Sequence, residues 1–222
     1  MAMTASLGAS TVGKKVVMAV SGVVLLGFVV VHLLGNLQLY LGPEAMNSYA
    51  ESLRAIPALL WTARVVLILA FLAHVVSSVQ LVMRNRAARP VKYAHKRRDV
   101  ATSYAARTMI WTGPIVLLYV VYHVAHLTFG FTTGYEFDPA NVYANVVNGF
   151  QIWWVSAIYI AANLALGVHL YHGAWSCLQS LGANHPSINQ IKKKAAAAIA
   201  GVLVAGNLSF PITVMAGWVT TS

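Results

Sequence analysis

Charge is what this 222-residue sequence has least of. Asp, Glu, Lys and Arg together make up 9% of it and hydrophobic residues 59%, against roughly 25% and roughly 45–50% in soluble globular domains. So few charges cannot cover a soluble surface. Acids are the scarcer sign, with 5 Asp+Glu against 15 Lys+Arg and a net charge of +10. In a soluble protein that balance would suggest nucleic acid, with basic and aromatic residues interleaved along a polar face. Here the basic residues stand in blocks between apolar runs, which excludes that reading. Cysteine is almost absent: a single Cys177 excludes an intrachain disulfide framework and a Cys-ligated zinc or iron–sulfur site, and without Cys-x-x-Cys-His there is no covalently attached c-type haem. No cleavable signal peptide is expected, because the first apolar run (16–41) is too long for one and lacks a small-residue cleavage site.

What the sequence does have is length of apolar helix. A bilayer core of about 30 Å needs about 20 apolar residues, and five segments meet this, at 14–41, 59–84, 104–130, 150–181 and 195–219. Pro114, Pro211 and several Gly fall inside them, which membrane helices tolerate. The links differ in sign. Lys14 and Lys15 precede the first segment, the second link holds Arg84, Arg86, Arg89, Lys92, Lys96, Arg97 and Arg98 with Asp99, and the fourth ends in Lys192, Lys193 and Lys194. The first link offers Glu44, Glu51 and Arg54, and the third Glu136 and Asp138. Basic loops stay cytoplasmic, so the expectation is an all-α membrane protein. It is a single transmembrane domain over 1–222, with the N-terminus inside and the C-terminus outside. Tyr40, Trp61, Trp111, Trp153, Trp154, Trp175 and Trp218 fall where interfaces are expected. The basic links suit lipid headgroups or a negatively charged partner on the cytoplasmic face.

Histidine is the informative residue. His95 and His185 lie in links, but His32, His74, His123, His126, His169 and His172 lie inside the apolar segments, where an ionisable group is expensive and by default functional. A proton pathway would mix them with carboxylates, which the segments lack. A zinc site would gather its ligands at one height. Haem b instead needs two imidazoles on different helices, facing across an apolar slot. At 1.5 Å per residue, His32 lies about 26 Å from Lys15, and His123 about 24 Å from Arg107, both toward the outer side. His74 lies about 15 Å from Arg84, and His169 about 20 Å from Gly182, both in the inner half. Two bis-imidazole sites follow, His32 with His123 and His74 with His169, offset vertically on the order of 10 Å. His126 and His172 stand about one turn beyond a proposed ligand. Height alone leaves each open as the ligand, as a group bonding a haem propionate or quinone, or as a contact to a neighbouring helix. Gly27, Gly35, Gly167 and Gly173 lie near the ligand positions, opening space for a porphyrin or serving helix contacts.

The sequence resembles the di-haem cytochrome b membrane anchor of succinate:quinone oxidoreductases and quinol:fumarate reductases, in the branch with one five-helix subunit. The resemblance spans essentially the whole length. It rests on His32 in VVHLLGNLQLYLGPEAMNSYA, His74 in FLAHVVSSVQL, His123 in VYHVAHLTFG and His169 in GVHLYHGAWSCLQSLGANHP, with the RNRAARPVKY link and the KKVVMAVSG start of the first helix. It implies that the first four helices form a haem-binding bundle holding two haems b. His74 and His169 would ligate the proximal (cytoplasmic-side) haem iron, and His32 and His123 the distal one, with His126 and His172 beside them. It further implies two cytoplasmic-face partners, a flavoprotein with FAD and an iron–sulfur protein with three clusters, and a quinone, menaquinone by the general preference of this branch. The setting is a bacterial cytoplasmic membrane, and a higher oligomer of the whole complex is compatible with it.

The family's distal quinone site uses a glutamate near the outer end of the first link. A simple register puts Arg54 there, with Glu51 one turn away and Glu44 and Tyr40 nearby; Ser21 and Lys15 are candidates for a proximal site instead. Two other readings compete: a cytochrome b anchor of a hydrogenase or formate dehydrogenase, and a haem-free transporter, which lacks the internal repeat and broken midplane helices of many transporters.

Overall fold

The computed structural model describes residues 10–88, 104–131 and 134–221, and among these every regular element is a helix. Seven α-helices follow in order: α1 Thr11–Asn36, α2 Pro43–Arg54, α3 Pro57–Ala87, α4 Tyr104–Leu127, α5 Val142–Gln151, α6 Trp153–Ser180 and α7 Pro186–Met215. A short 3₁₀ turn, Leu37–Leu41, extends α1. Five of them (α1, α3, α4, α6 and α7) are long and apolar enough to cross a membrane. Their outward faces carry Leu118 at 70% exposure, Val202 at 67% and Trp111 at 71%; apolar surface on this scale is what a bilayer covers. The protein is an all-α, multi-pass membrane protein.

Local chemistry sets the boundaries. Ser10 caps α1 by accepting from the Gly13 N–H at 2.9 Å, and Asn141 caps α5 by accepting from Ala144 at 3.1 Å. Proline opens α2, α3 and α7, where its missing N–H costs nothing. Gly42, at φ 96°, makes the turn into α2 that an L side chain would strain.

Two elements were not among the five expected segments. α2 is a short polar helix, and α5 covers the end of the expected third link and the first residues of the expected fourth segment. The chain breaks at Ile152, which is extended (φ −80°, ψ 109°), and the Ser156 hydroxyl donates to the freed Phe150 carbonyl at 2.6 Å. A run of apolar residues cannot reveal such a corner. α7 also begins at Pro186, nine residues before the expected 195. Its three lysines lie within the helix: Lys192 bonds the Ala183 carbonyl and the Lys193 ammonium sits over the Trp175 ring at 5.0 Å. His185 caps this helix, its Nδ1 accepting from Ser187 N–H. His95, Arg89, Lys92, Lys96, Arg97, Arg98 and Asp99 lie outside the described residues.

The ends of the bundle differ. Lys14, Lys15, Arg84, Arg86, Arg107, Lys192, Lys193 and Lys194 mark a basic end, where Lys14 bonds Gln80 across α1 and α3. Glu44, Glu51, Glu136 and Asp138 mark an acidic end. A buried apolar cluster lies toward the acidic end, where Val147, Phe150, Tyr159, Phe210 and Val214 pack with Leu33, Leu39 and Met46. Here α5 plugs the bundle. The Asn47 amide donates to Asn141 at 3.1 Å and accepts from the Tyr143 N–H at 3.0 Å, and the Tyr143 hydroxyl donates to the Thr220 carbonyl at 2.8 Å.

α1 packs on α3 and α6, α4 packs on α6, and α7 packs on α6. The last contact is close because Gly167 has no side chain: a Cβ there would overlap Val204 Cγ2, on a β-branched residue with one preferred rotamer in a helix. Gly167→Ala is expected to destabilise the folded protein by about 1–3 kcal/mol through overpacking. Gly173→Ala, whose Cβ meets nothing within 4 Å, should leave stability unchanged or raise it by the helix-propensity gain of about 0.5–1 kcal/mol. Thermal unfolding in one detergent compares them, and equal midpoints would contradict this account of the α6–α7 contact.

Candidate functional site: two facing histidine pairs

Each pair forms across a gap between helices. Among the described residues, α1 and α4 do not pack closely backbone to backbone, and neither do α3 and α6. Across the first gap His32 meets His123 with ring centroids 5.8 Å apart and planes at 88°. Across the second, His74 meets His169 at 6.2 Å and 64°. The His74 pair lies level with Met18 and Gly22 of α1, ten residues before His32. That separates the pairs by about 15 Å along the helix, more than the spacing of order 10 Å expected from sequence distances to the helix ends.

Different groups orient each ring. His74 Nδ1 lies 3.1 Å from the Met18 carbonyl, with Ser21 Oγ at 3.5 Å. A carbonyl only accepts, so Nδ1 carries the hydrogen and the neutral ring keeps its lone pair on Nε2. Gly22 makes this approach possible, since a Cβ there would stand 3.3 Å from His74 Cε1. His32 stacks on Phe28, one turn earlier, at 5.2 Å and 20°. His123 Nδ1 and His169 Nδ1 are buried with no hydrogen-bond partner among the described residues.

His126 differs from its neighbour three residues away. It is 2% exposed, and both its ring nitrogens are engaged: Nδ1 with the Tyr159 hydroxyl at 3.0 Å, Nε2 with the Tyr135 hydroxyl at 3.1 Å. Gly149 leaves room for it, a Cβ there standing 2.8 Å from His126 Cε1. Each His126 ring nitrogen thus has a tyrosine hydroxyl as its partner in this structure. His172 stands edge-on to Trp175 at 5.6 Å. Its Nδ1 and the Trp175 indole N–H are buried without partners among the described residues.

The donor set narrows the chemistry. Among the described residues no group of three or more His, Cys, Asp or Glu side chains could hold a metal ion, so a zinc-type site built from protein ligands alone has no candidate. A metal about 2 Å from one nitrogen of each ring would set the two centroids about 6 Å apart. Both pairs fit that spacing, and a macrocycle would supply the remaining ligands. α3 buries only Ser77 and Leu81, and among the described residues of α4 the buried ones are Thr112 and His126. A flat apolar ring system between the paired imidazoles would add contact for both helices.

The carboxylates expected near a quinone are brought together, without Tyr40. Glu44, Glu51 and Arg54 line a cavity of about 480 Å³ with Asn47, Ser48 and Ala140. Tyr40 lines a second, of about 410 Å³, with Tyr143, Thr213 and Trp218, and donates to Ser209 Oγ at 2.6 Å. The sequence reading missed Tyr159, Tyr135 and Asn163, whose amide donates to the Tyr119 hydroxyl at 3.3 Å. It also passed over Arg64, whose guanidinium lies 5.0 Å from the Trp61 ring. Helical spacing gave a signal for part of this: Phe28 precedes His32 by four residues, as Tyr119 precedes His123 and Tyr122 precedes His126.

Tyr135, in the loop after α4, is the titrating group of this cluster outside the spanning segments. Burial first, and then the nearby Tyr122 hydroxyl, push its phenol up to about 12, above the ordinary value of about 10. The neutral phenol bonded to His126 is thus fully present below pH 10 and is lost as pH rises through 12. Phenolate absorbance should reveal a late-titrating tyrosine that is absent in Tyr135→Phe; identical titration curves would contradict it. Comparison of the chain with protein-family models, with curated proteins and with solved structures finds no match.

Proposed function

We propose that this protein is the membrane anchor and electron-carrying subunit of a succinate:quinone oxidoreductase or quinol:fumarate reductase in a bacterial cytoplasmic membrane. One observation carries the reading: four histidines from four spanning helices meet as two facing pairs at two heights. His74 and His169 would hold one haem b toward the basic end, and His32 and His123 a second toward the acidic end. A haem so held carries one electron at a time. The chain's own residues supply the rest. Met18 fixes the His74 tautomer, Phe28 supports the His32 ring, and the apolar spans exclude water from both. The basic end, taken as cytoplasmic by its lysines and arginines, offers a positively charged face to an iron–sulfur protein and, through it, a flavoprotein with FAD. The cavity of Glu44 and Glu51 at the other end offers carboxylates that exchange protons with a quinone, most simply menaquinone.

The purified chain should show two low-spin haems b, with succinate dehydrogenase or fumarate reductase subunits co-purifying. Hydrogenase or formate dehydrogenase subunits in their place would assign the anchor to another enzyme, and a haem-free spectrum would overturn the reading. His32→Ala or His123→Ala should remove one haem and leave the complex assembled. His74→Ala or His169→Ala should remove the other and most association with the soluble subunits. Two haems per chain in any of these variants would contradict the ligand assignment.

Glu51→Gln should slow quinone turnover by roughly a hundredfold or more, in the range of a lost general acid–base group. Haem content and succinate-driven reduction of a soluble artificial acceptor should be unaffected. Unchanged turnover in both Glu51→Gln and Glu44→Gln would move quinone chemistry to the basic end, near Ser21 and Lys15.

A further inference from the structure

Among the described residues no hydrogen bond sets the plane of the His123 ring. Its Nδ1 is buried and unpartnered among the described residues, whereas the ring it faces is stacked on Phe28. What surrounds His123 is aromatic: Tyr119 at 5.8 Å and 43°, and Tyr159 at 5.8 Å and 63°. Tyr159 is itself held tightly. It is 3% exposed, lies edge-on to Phe150 at 4.9 Å and to Tyr119 at 5.3 Å, and its hydroxyl meets His126 Nδ1 at 3.0 Å. The Asn163 amide donates both to the Tyr159 carbonyl at 2.8 Å and to the Tyr119 hydroxyl. Rotating His123 would therefore push on two rings that are each anchored elsewhere.

We propose that His126 is a positioning residue: by holding the hydroxyl of Tyr159 it fixes the aromatic wall that sets the ring plane of His123, and with it the crossed, 88° arrangement of His32 and His123. This deepens the two-haem reading and rests on it. A buried imidazole saturated on both nitrogens suits this role, because turning the ring would break a bond at Nδ1, at Nε2 or at both. Its second bond, to Tyr135, ties the same wall to the loop that follows α4. The consequence is electronic as well as steric. In a low-spin haem with two imidazole ligands, crossed ring planes bring the iron orbitals that carry the unpaired electron close in energy, which raises the largest g value in electron paramagnetic resonance. Groups around the ligands are among the levers by which a protein tunes such a centre.

The test uses the purified complex and reads paramagnetic resonance and haem content, not turnover. Tyr159→Phe keeps the ring and removes the bond to His126; His126→Leu removes the bond from the other side; Tyr135→Phe breaks only the loop contact. The largest g value of one signal, the one lost in His32→Ala, should fall in Tyr159→Phe and His126→Leu. The other signal should stay fixed and haem content should remain at two per chain. His126→Gln, which can both donate and accept, should restore part of the shift. Unchanged signals in Tyr159→Phe and His126→Leu at full haem content would overturn the proposal, and so would a shift confined to Tyr135→Phe. If His126→Leu does not assemble, Tyr159→Phe decides alone. A wild-type chain without low-spin haem would defeat the electron-carrying reading separately. The imidazole ¹⁵N resonances of His123 in the haem-free chain, assigned by their loss in His123→Gln, then decide: movement in Tyr159→Phe supports the positioning role, and unmoved resonances overturn it.

Discussion

An imidazole in hydrocarbon has to bond to something. Each buried polar atom left unsatisfied costs about 1–3 kcal/mol, against a total stability of about 5–15 kcal/mol for a typical domain. The six histidines of the spanning helices meet this constraint unequally. His126 meets it completely, with a tyrosine on each nitrogen. His74 meets it on Nδ1, through a backbone carbonyl. His123, His169 and His172 each leave a buried Nδ1 without a partner among the described residues, as does the indole of Trp175. Two of those rings, His123 and His169, each meet a histidine from another helix, with the ring planes crossed. Under the proposed function those two rings are haem ligands.

Packing follows the same division. Toward the acidic end, α5 enters the bundle and its Val147, Phe150 and Tyr143 join Phe210 and Val214 in a continuous buried cluster. Nearer the basic end, α3 lies against α1 with only Ser77 and Leu81 buried. The acidic end is thus a protein core in the ordinary sense, while the gap between α3 and α6 is bounded by helices that touch other neighbours. A bundle cemented by its own side chains at one end and open to a flat apolar group at the other would tolerate loss of the acidic-end pair better than loss of the basic-end pair. It would also tolerate strain at the acidic-end pair, because the aromatic wall there is already packed.

Much of this was legible in the sequence because hydrocarbon imposes simple rules. Length and hydropathy were enough for five spans, and residue counts along them, at 1.5 Å each, grouped His32 with His123 and His74 with His169 before any contact was known. The same arithmetic could not reach the short elements. α2 and the corner at Ile152 depend on Gly42, Asn141 and Ser156, whose roles arise from backbone angles and from partners far along the chain, such as Asn47 with Asn141. Nor could it separate His126 from His123. Three residues on one helix differ by about 60° of rotation, and the tyrosine that engages His126 Nδ1 lies 33 residues away. Spacing fixes depth, and only tertiary contact fixes which partner each ring nitrogen meets.

Depth also bears on where a quinone would react. Along α1 it is about 10 Å from Lys15 to Gly22, level with His74, about 15 Å from there to His32, and about 16 Å from His32 through the 3₁₀ turn to Leu41 at the far end. Two pairs thus divide the span into three steps of similar size. A quinone reduced at the basic end would need only the His74 pair, and the His32 pair would have no electron to carry. A quinone at the acidic end would use both, and the cavity of Glu44 and Glu51 lies at that end. Electrons would then cross the membrane against or along its potential, at about 2.3 kcal/mol per charge per 100 mV, while protons exchanged through those carboxylates stay on the far side. The placement of the second pair is therefore the stronger argument for an acidic-end quinone. The carboxylates alone would be ordinary for a solvated loop, whereas two histidines facing each other inside the apolar spans are not.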